Sequence, residues 1–190
     1  MKITETEFPG LLVVEPKVFG DSRGYFFESW NREKYAAAGI HADFVQDNES
    51  LSRFGVLRGL HYQAPPYTQA KLVRVISGAV LDVALDIRKG SPTFGRYFSI
   101  ELTGENKKQL FVPRGFAHGF VVLSEEALFA YKCDNAYMPS HERGIAFDDP
   151  ALNIDWKVGL DHYNLSPKDT RNPRFSEAEL FDFHHPEEYL

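Results

Sequence analysis

The chain has almost no cysteine, because Cys133 is the only one among its 190 residues. A single cysteine excludes a disulfide within the chain, so the fold does not depend on an oxidising compartment. It also excludes zinc sites that are built from several closely spaced cysteines and histidines.

Long apolar runs and a basic excess are absent as well. No stretch approaches the roughly 20 apolar residues that a membrane-spanning helix needs, and the opening MKITETEFPG has no apolar run of signal-peptide length. The formal net charge is −6, whereas proteins that bind duplex nucleic acid usually carry a basic excess. We therefore expect a cytoplasmic protein that binds neither membranes nor nucleic acid.

Cofactor motifs are equally scarce. The sequence contains neither a Gly-x-Gly-x-x-Gly turn nor a P-loop, so we expect no bound dinucleotide or ATP. A β-barrel metal site of the cupin type needs two histidines close together in one strand, but His61 is followed by Tyr62 and Gln63, and His118 is isolated. The sequence therefore predicts an absence of both cofactor and metal.

Short β-like runs, separated by Gly, Pro, Asn and Asp, dominate what is present. With 43% hydrophobic and 25% charged residues, the composition is that of a globular protein, and we expect one domain, 1–190, with a peripheral segment from about residue 170. The spacing of the runs predicts an all-β sandwich or barrel. Strands are expected at residues 11–16, 25–30, 44–49, 56–62, 71–77, 79–88, 96–102, 109–113, 117–122 and 127–135.

Helical signals occur at only two places. Asn31 is a candidate N-cap for a short helix over residues 32–38, which Gly39 would end. Ser176 and Glu179 have the spacing of a capping box, so a second helix is expected at the start of the C-terminal segment.

The densest polar cluster inside apolar surroundings contains Arg58, His61 and Lys71, which fall in two neighbouring predicted strands. Three such groups are costly to bury without a ligand or paired acids, which favours a functional site. However, positions 58 and 61 of a regular strand face opposite ways. Either a bulge at Gly59 turns one side chain round, or Arg58 faces a neighbouring subunit.

Three further features are ambiguous on their own. His118 follows a Pro- and Gly-rich turn, and either a catalytic or a packing role fits. Tyr131 and Tyr137 would share one face of a straight strand about 20 Å apart, the length of a nucleoside diphosphate sugar, although aromatics also fill barrels. Asp169 is a candidate carboxylate to orient an imidazole, but most such aspartates lie in solvated turns.

The motifs taken together resemble those of the dTDP-4-dehydrorhamnose 3,5-epimerase family, metal-free cupins that act on nucleotide-linked 4-keto sugars. The resemblance runs from about Phe8 to Asp169. It is carried by DSRGYFFESW, FVQDNES, VLRGLHYQ, AKLVRVISGAVLDVALDIR, FVPRGFAHGF, YKCDNAY and LSPKD.

The resemblance implies a cupin-type jelly roll and a role for each matching residue. His61 matches the family's base, Asp169 the carboxylate that holds it, Tyr131 the acid, and Lys71 the residue beside the substrate ketone oxygen. The implied substrate-binding residues are Arg58 and Arg23 for pyrophosphate, His118 for sugar or phosphate, Glu28, Gln46 and Asn48 for the nucleotide, Phe26 and Tyr137 for thymine, and Glu142 and Lys168 with roles that the resemblance leaves open. The arm that carries Arg23 and Phe26 reaches the partner's pocket in the family, which implies a homodimer.

The chemistry of such a reaction agrees with these residue types. A ketone at C4 acidifies the C–H bonds at C3 and C5, so inversion needs a base on one face, an acid on the other and stabilisation of the enolate oxygen. Three other readings remain open at this stage: an enzyme that inverts one centre only or isomerises the ketone, a non-catalytic sugar-binding cupin, and a metal-dependent cupin oxygenase, which the missing ligands disfavour.

Overall fold

The structure is a computed structural model that describes residues 1–182, and antiparallel strands make up most of it. The predicted all-β fold is therefore confirmed. The strands are, in chain order, β1 (Lys2–Glu5), β2 (Leu12–Glu15), β3 (Phe19–Asp21), β4 (Gly24–Phe26), β5 (Gln46–Arg53), β6 (Leu57–Gln63), β7 (Lys71–Ser77), β8 (Ala79–Asp86), β9 (Arg88–Lys89), β10 (Tyr97–Thr103), β11 (Gln109–Val112), β12 (Phe116–Val122), β13 (Glu126–Cys133), β14 (Glu142–Gly144) and β15 (Phe181–Asp182).

Two sheets form the sandwich. One has six strands in the order β1-β2-β11-β7-β13-β5, and the other has five in the order β10-β8-β12-β6-β14. Apolar side chains from both sheets meet between them, among them Val73, Ala84, Phe120 and Phe129, and all four are buried. Burying a large apolar side chain stabilises a fold by about 1.5–3 kcal/mol, so this layer holds the sheets together.

The outer faces of the sheets are covered in different ways. The five-stranded sheet is covered by the chain after β14, where Leu152 and Trp156 are buried against it and Phe175 and Leu180 pack alongside. The C-terminal segment up to Asp182 thus contributes to packing: the Tyr62 hydroxyl, for example, donates to the carbonyl of Glu179 at 2.6 Å. On the six-stranded sheet, the segment around the α-helix provides the cover.

The first predicted helix is confirmed. Helix α1 spans Arg32–Ala36, and the Asn31 side chain accepts a hydrogen bond from the backbone N–H of Lys34. Gly39 follows with a φ of 91°, the left-handed conformation that favours glycine after a helix. The remaining short helices are 3₁₀ turns at Pro139–His141, Leu160–His162, Asp169–Arg171 and Phe175–Glu177.

The predicted capping box is wrong. Ser176 lies inside the 3₁₀ turn Phe175–Glu177, and no α-helix starts there within the described residues. The Glu179 carboxylate accepts a hydrogen bond from Arg143 Nε at 2.7 Å, so a tertiary ion pair has replaced the local cap. The rest of this predicted segment, from residue 183 onward, lies outside the described residues.

Three predicted strands show the largest differences from the observed bounds, while most of the others differ by one or two residues. The strand expected at residues 25–30 ends at Phe26, because β3 and β4 form a two-stranded hairpin, residues 19–26, which we call the arm. The strand expected at 44–49 is β5, which starts at Gln46 and continues to Arg53 beside β13. The strand expected at 127–135 ends at Cys133, after which the chain turns.

Candidate active site

A cavity lies between the two sheets, and polar side chains from both reach into it. Its larger part has a volume of about 650 Å³ and is lined by Arg58, His61, Lys71, His118 and Tyr131 among others. Because His61 stands on β6 of the five-stranded sheet and Tyr131 on β13 of the six-stranded sheet, the two side chains enter the cavity from opposite walls.

The His61 imidazole is held by a buried carboxylate. His61 Nε2 lies 2.5 Å from Asp169 Oδ1, and Asp169 is only 4% exposed. Ser166 donates from its hydroxyl to the other carboxylate oxygen at 2.9 Å and accepts from the Asp169 backbone N–H. Burial alone raises the pKa of Asp169, but the bonds from His61 and Ser166 outweigh it and lower that pKa, so the carboxylate is ionised at neutral pH. With Nε2 engaged, Nδ1 is the ring nitrogen left to take a proton.

A second histidine, on the same wall of the cavity, also contacts a buried carboxylate. His118 Nε2 lies 3.0 Å from both oxygens of Asp82, which is fully inaccessible to solvent, and the imidazole stacks near the Phe129 ring. His118 stands opposite His61 in the register of β12 and β6. The two imidazole–carboxylate pairs are therefore neighbours on one wall of the cavity.

Lys71 and Tyr131 lie on adjacent strands of the opposite wall. In the pairing of β13 with β7, Tyr131 is opposite Val73 and Cys133 is opposite Lys71. The side chains of Lys71 and Tyr131 therefore lie on the same, inner face of the sheet. Burial lowers the pKa of Lys71, and the negative groups Asp82 and Glu142 oppose this effect. Burial raises the pKa of Tyr131, while the positive charge of Arg58 opposes the rise. The phenol is therefore protonated at neutral pH, and it is an acid weak enough to give up its proton only to a strongly basic atom.

A bulge places Arg58 and His61 on the same wall. In the pairing of β6 with β12, His61 is opposite His118 and Arg58 is opposite Phe120, so Gly119 alone faces two residues of β6. Gly59 has a φ of 132°, and a Cβ on it would lie 2.6 Å from the Cα of Gly119. Only glycine fits such a position. Of the two alternatives for Arg58, the structure takes the bulge, and Arg58 Nε donates to the Ser52 hydroxyl at 3.1 Å.

A smaller part of the cavity, about 300 Å³, continues from His61, Lys71 and Tyr131. Gln46, Tyr137 and Glu142 line it. The Tyr137 hydroxyl donates to Glu142 Oε2 at 2.5 Å, and the other Glu142 oxygen pairs with Lys168. Although burial raises the pKa of Glu142, these two partners lower it overall. Because β13 ends at Cys133, Tyr131 and Tyr137 do not share one straight strand, contrary to the prediction. The chain turns after Cys133, and there the side-chain amide of Asn135 donates to the carbonyls of Pro66 and Thr68.

The arm and the residues after it lie apart from this cavity. The side chain of Arg23 is 87% exposed and pairs with Asp21, and Phe26 is 70% exposed. Glu28 binds the side chains of Asn31 and Lys34. None of Arg23, Phe26 and Glu28 lines either part of the chain's own cavity. The structure brings together the other expected site residues, which are Gln46, Asn48, Arg58, His61, Lys71, His118, Tyr131, Tyr137, Glu142, Lys168 and Asp169.

Asp82 and Ser166 are among the residues of the cavity wall that the sequence did not single out. Asp82 lies in an apolar strand, and a lone aspartate in such a run was a signal that a buried partner had to exist. Ser166 stands three residues before Asp169, a spacing at which a hydroxyl meets the backbone N–H. Within residues 1–182, no three His, Cys, Asp or Glu side chains gather as metal ligands, and no helix has the length and apolarity to cross a membrane.

The family model of dTDP-4-dehydrorhamnose 3,5-epimerase matches residues 5–177, which is most of the chain. The chain belongs to this family. A dTDP-4-dehydrorhamnose 3,5-epimerase of Shigella flexneri is 53% identical over 182 residues, covering 95% of this chain and 99% of that protein.

Solved structures of the family agree with the fold. The Legionella pneumophila dTDP-6-deoxy-D-glucose-3,5-epimerase in complex with dTDP-4-keto-L-rhamnose has a TM-score of 0.93 and 48% identity, covering 97% of this chain and 99% of that one. A 3'-monoepimerase from Streptomyces bikiniensis in complex with dTDP-quinovose is also similar, with a TM-score of 0.84, 32% identity, and coverage of 90% and 86%. The sandwich is thus the cupin-type fold of a 3,5-epimerase family enzyme.

Proposed function

We propose that the chain epimerises dTDP-4-dehydro-6-deoxy-D-glucose at C3 and C5 to dTDP-4-dehydro-L-rhamnose. The observation that carries this proposal is the placement of His61, held by Asp169, on one wall of the cavity, and of Tyr131 and Lys71 on the other. Inversion at carbon requires a base and an acid on opposite faces, and these walls supply one each.

Each inversion uses a balanced pair of proton transfers. His61 takes the proton from the carbon next to the C4 ketone, and the electron pair moves into an enolate whose charge rests on the ketone oxygen. Lys71 donates a hydrogen bond to that oxygen, an effect typically worth several kcal/mol in a dry site. Tyr131 then donates its proton to the opposite face of the carbon, and exchange with solvent restores both groups. No redox agent enters the balance.

The nucleotide is held by the remaining polar side chains. Arg58 contacts the diphosphate, because a guanidinium fork matches two phosphate oxygens. His118 contacts sugar or phosphate, Gln46 and Asn48 contact the nucleotide, and Tyr137 stacks on thymine beside Glu142 and Lys168. Arg23, Phe26 and Glu28 complete the site from a second copy of the chain, a homodimer that the exposure of the arm supports. A cytoplasmic location is part of the proposal, since one cysteine needs no oxidising compartment.

The function is tested by proton NMR of dTDP-4-keto-6-deoxyglucose with the protein in heavy water. Loss of the C3 and C5 proton signals, with new signals from the inverted sugar, is the expected result. Exchange at one carbon alone would make the chain a single-centre epimerase, and binding without exchange would make it a sugar-binding protein.

Activity is expected to be independent of metal ions. The proposed steps use only protein groups, and His61 and His118 each face a carboxylate that belongs to their own pair. Dialysis against a strong chelator should leave kcat and KM unchanged. A loss of activity that one divalent ion restores would contradict this prediction.

Removal of either arginine should weaken the binding of dTDP itself. Hydrogen bonds to charged groups contribute about 1.5–3 kcal/mol, so Arg58→Ala and Arg23→Ala should each raise the dTDP Kd by about 10- to 100-fold. Isothermal titration calorimetry measures this directly. A variant that lost turnover while keeping its dTDP affinity would show that the arginine does not bind the diphosphate.

The same two variants test the exchange of the arm. In a mixed dimer of one Arg58→Ala chain and one Arg23→Ala chain, one site collects both defects and the other site is intact. Mixed dimers purified through two different tags should therefore bind dTDP with wild-type affinity at about half of their sites. If the arm served its own chain, every site would carry one defect and no site would bind dTDP with wild-type affinity.

A further inference from the structure

The segment at residues 136–138 carries Tyr137 but belongs to no strand or helix. Its backbone groups need partners from elsewhere, because an unpaired buried amide or carbonyl is costly. Two glutamine side chains supply them. The backbone N–H of Tyr137 donates to Gln46 Oε1 at 2.9 Å, and the backbone N–H of Met138 donates to Gln63 Oε1 at 2.6 Å.

Gln63 uses its whole hydrogen-bonding capacity on the backbone. Besides accepting from Met138, its amide nitrogen donates to the carbonyl of Tyr67 at 2.6 Å and to that of Ala136 at 3.2 Å. The residue is 3% exposed. With both N–H groups and the carbonyl oxygen engaged, this side chain has no donor left for a ligand.

The position of Gln63 links two parts of the site. It is two residues after His61 on β6, so the two side chains share one face of the strand. Tyr137 is 49% exposed, and its ring is fixed at one end by the Glu142 carboxylate and at the other by the backbone that Gln63 clamps. The direction in which the ring leaves the chain therefore depends on Gln63.

We propose that Gln63 is a positioning residue that sets the affinity for the nucleotide base by holding the Tyr137 backbone in place. The inference rests on the proposed function in one respect, which is that the Tyr137 ring contacts the base. Gln63 lines the smaller part of the cavity, but its polar atoms all bond to backbone groups, so it acts on the base through Tyr137. Its removal changes binding at the nucleotide end and leaves the chemistry between His61 and Tyr131 intact.

The decisive variant is Gln63→Met, which keeps the length of the side chain and removes all three hydrogen bonds. Stacking of a base on an aromatic ring contributes to the binding free energy, and its partial loss should raise the dTDP Kd about tenfold. The Kd for inorganic pyrophosphate, which has no base, should stay the same. In turnover, KM should rise about tenfold while kcat stays within about threefold of the wild type.

A second variant guards against a failure to fold. Gln63→Glu keeps an acceptor for the Met138 N–H but places a carboxylate against the carbonyls of Tyr67 and Ala136, which can no longer receive a hydrogen bond from it. This variant should also weaken dTDP binding and leave the Kd for pyrophosphate unchanged. Trp156→Phe is the matched control, because it removes a buried hydrogen bond, to the carbonyl of Phe147, on the outer side of the five-stranded sheet. It should lower the melting temperature without changing dTDP affinity.

A double-mutant cycle with Tyr137→Leu separates positioning from general damage. If Gln63 acts through Tyr137, adding Gln63→Met to Tyr137→Leu should not weaken dTDP binding further. An equal loss in both backgrounds, or an equal loss of pyrophosphate binding, would overturn the inference. A wild-type protein that binds dTDP but exchanges no substrate protons would overturn the proposed function instead. In that case the dTDP affinities of the variants would still test whether Gln63 acts through Tyr137.

Discussion

Replacement of His61 by alanine is expected to abolish proton exchange at both C3 and C5. The imidazole is the proposed base, and the buried, ionised carboxylate of Asp169 holds it on its wall of the cavity, with 2.5 Å between His61 Nε2 and Asp169 Oδ1. A positioned general base accelerates a proton transfer by roughly 10²–10⁴-fold. We therefore expect the exchange rate to fall by at least that factor. The measurement is the rate at which the C3 and C5 proton signals disappear in heavy water.

Two companion variants sharpen this experiment. Asp169→Asn keeps the shape of the carboxylate but removes the charge that supports the imidazolium, so it should reduce kcat while leaving the dTDP Kd unchanged. His41→Ala changes an exposed histidine that does not line the cavity, and it should behave as the wild type. Normal exchange in His61→Ala would assign the base to another group, with His118 as the next candidate because it is adjacent on the same wall.

Tyr131→Phe is expected to separate proton exchange from inversion. It removes only the hydroxyl from a side chain that packs against the Phe129 ring, so folding and nucleotide binding should be nearly intact. His61 should still remove the protons, and deuterium should return from the original face. Net inversion should slow by roughly the 10²–10⁴-fold that a positioned acid supplies.

The comparison of exchange with inversion in one sample decides the role of Tyr131. Inversion of both centres at the wild-type rate would make another residue or water the acid. If exchange and inversion vanished together while dTDP still bound, Tyr131 would also be needed before proton removal, and the division of labour between the two walls would fail. A matched control is Tyr163→Phe, on the covered outer side of the five-stranded sheet.

Strand positions were predictable because alternation and turn residues are local signals. β7 coincides with its predicted bounds, and β6 and β12 differ from theirs by one residue. The hairpin of the arm was not predicted, because its three aromatic residues, Phe19, Tyr25 and Phe26, are all exposed in the single chain. Their positions therefore do not distinguish a buried face from a solvent-facing one. The helix at Ser176 failed because a distant arginine, Arg143, took the Glu179 carboxylate.

The site was predictable in part for similar reasons. Motif matching supplied His61, Lys71, Tyr131 and Asp169 as candidates. His61 and Asp169 are 108 positions apart in the sequence, so only the family resemblance, and no local pattern, implied their contact. Asp82 and Gln63 were missed because their importance lies in partners from other strands and loops. Local sequence can indicate that such a residue needs a partner, as it does for Asp82, but it does not say which residue the partner is.

The facing glycines Gly59 and Gly119 have a consequence for any attempt to move this chemistry to another scaffold. The two backbones approach so closely that a Cβ on Gly119 would lie 2.7 Å from the carbonyl oxygen of Arg58. Grafting Arg58, His61 and His118 onto the strands of an ordinary jelly roll would place the guanidinium outside the barrel. A transplant has to carry the pair of glycines with it, so the smallest exchangeable unit of this enzyme is a kinked two-strand ribbon and not a set of side chains.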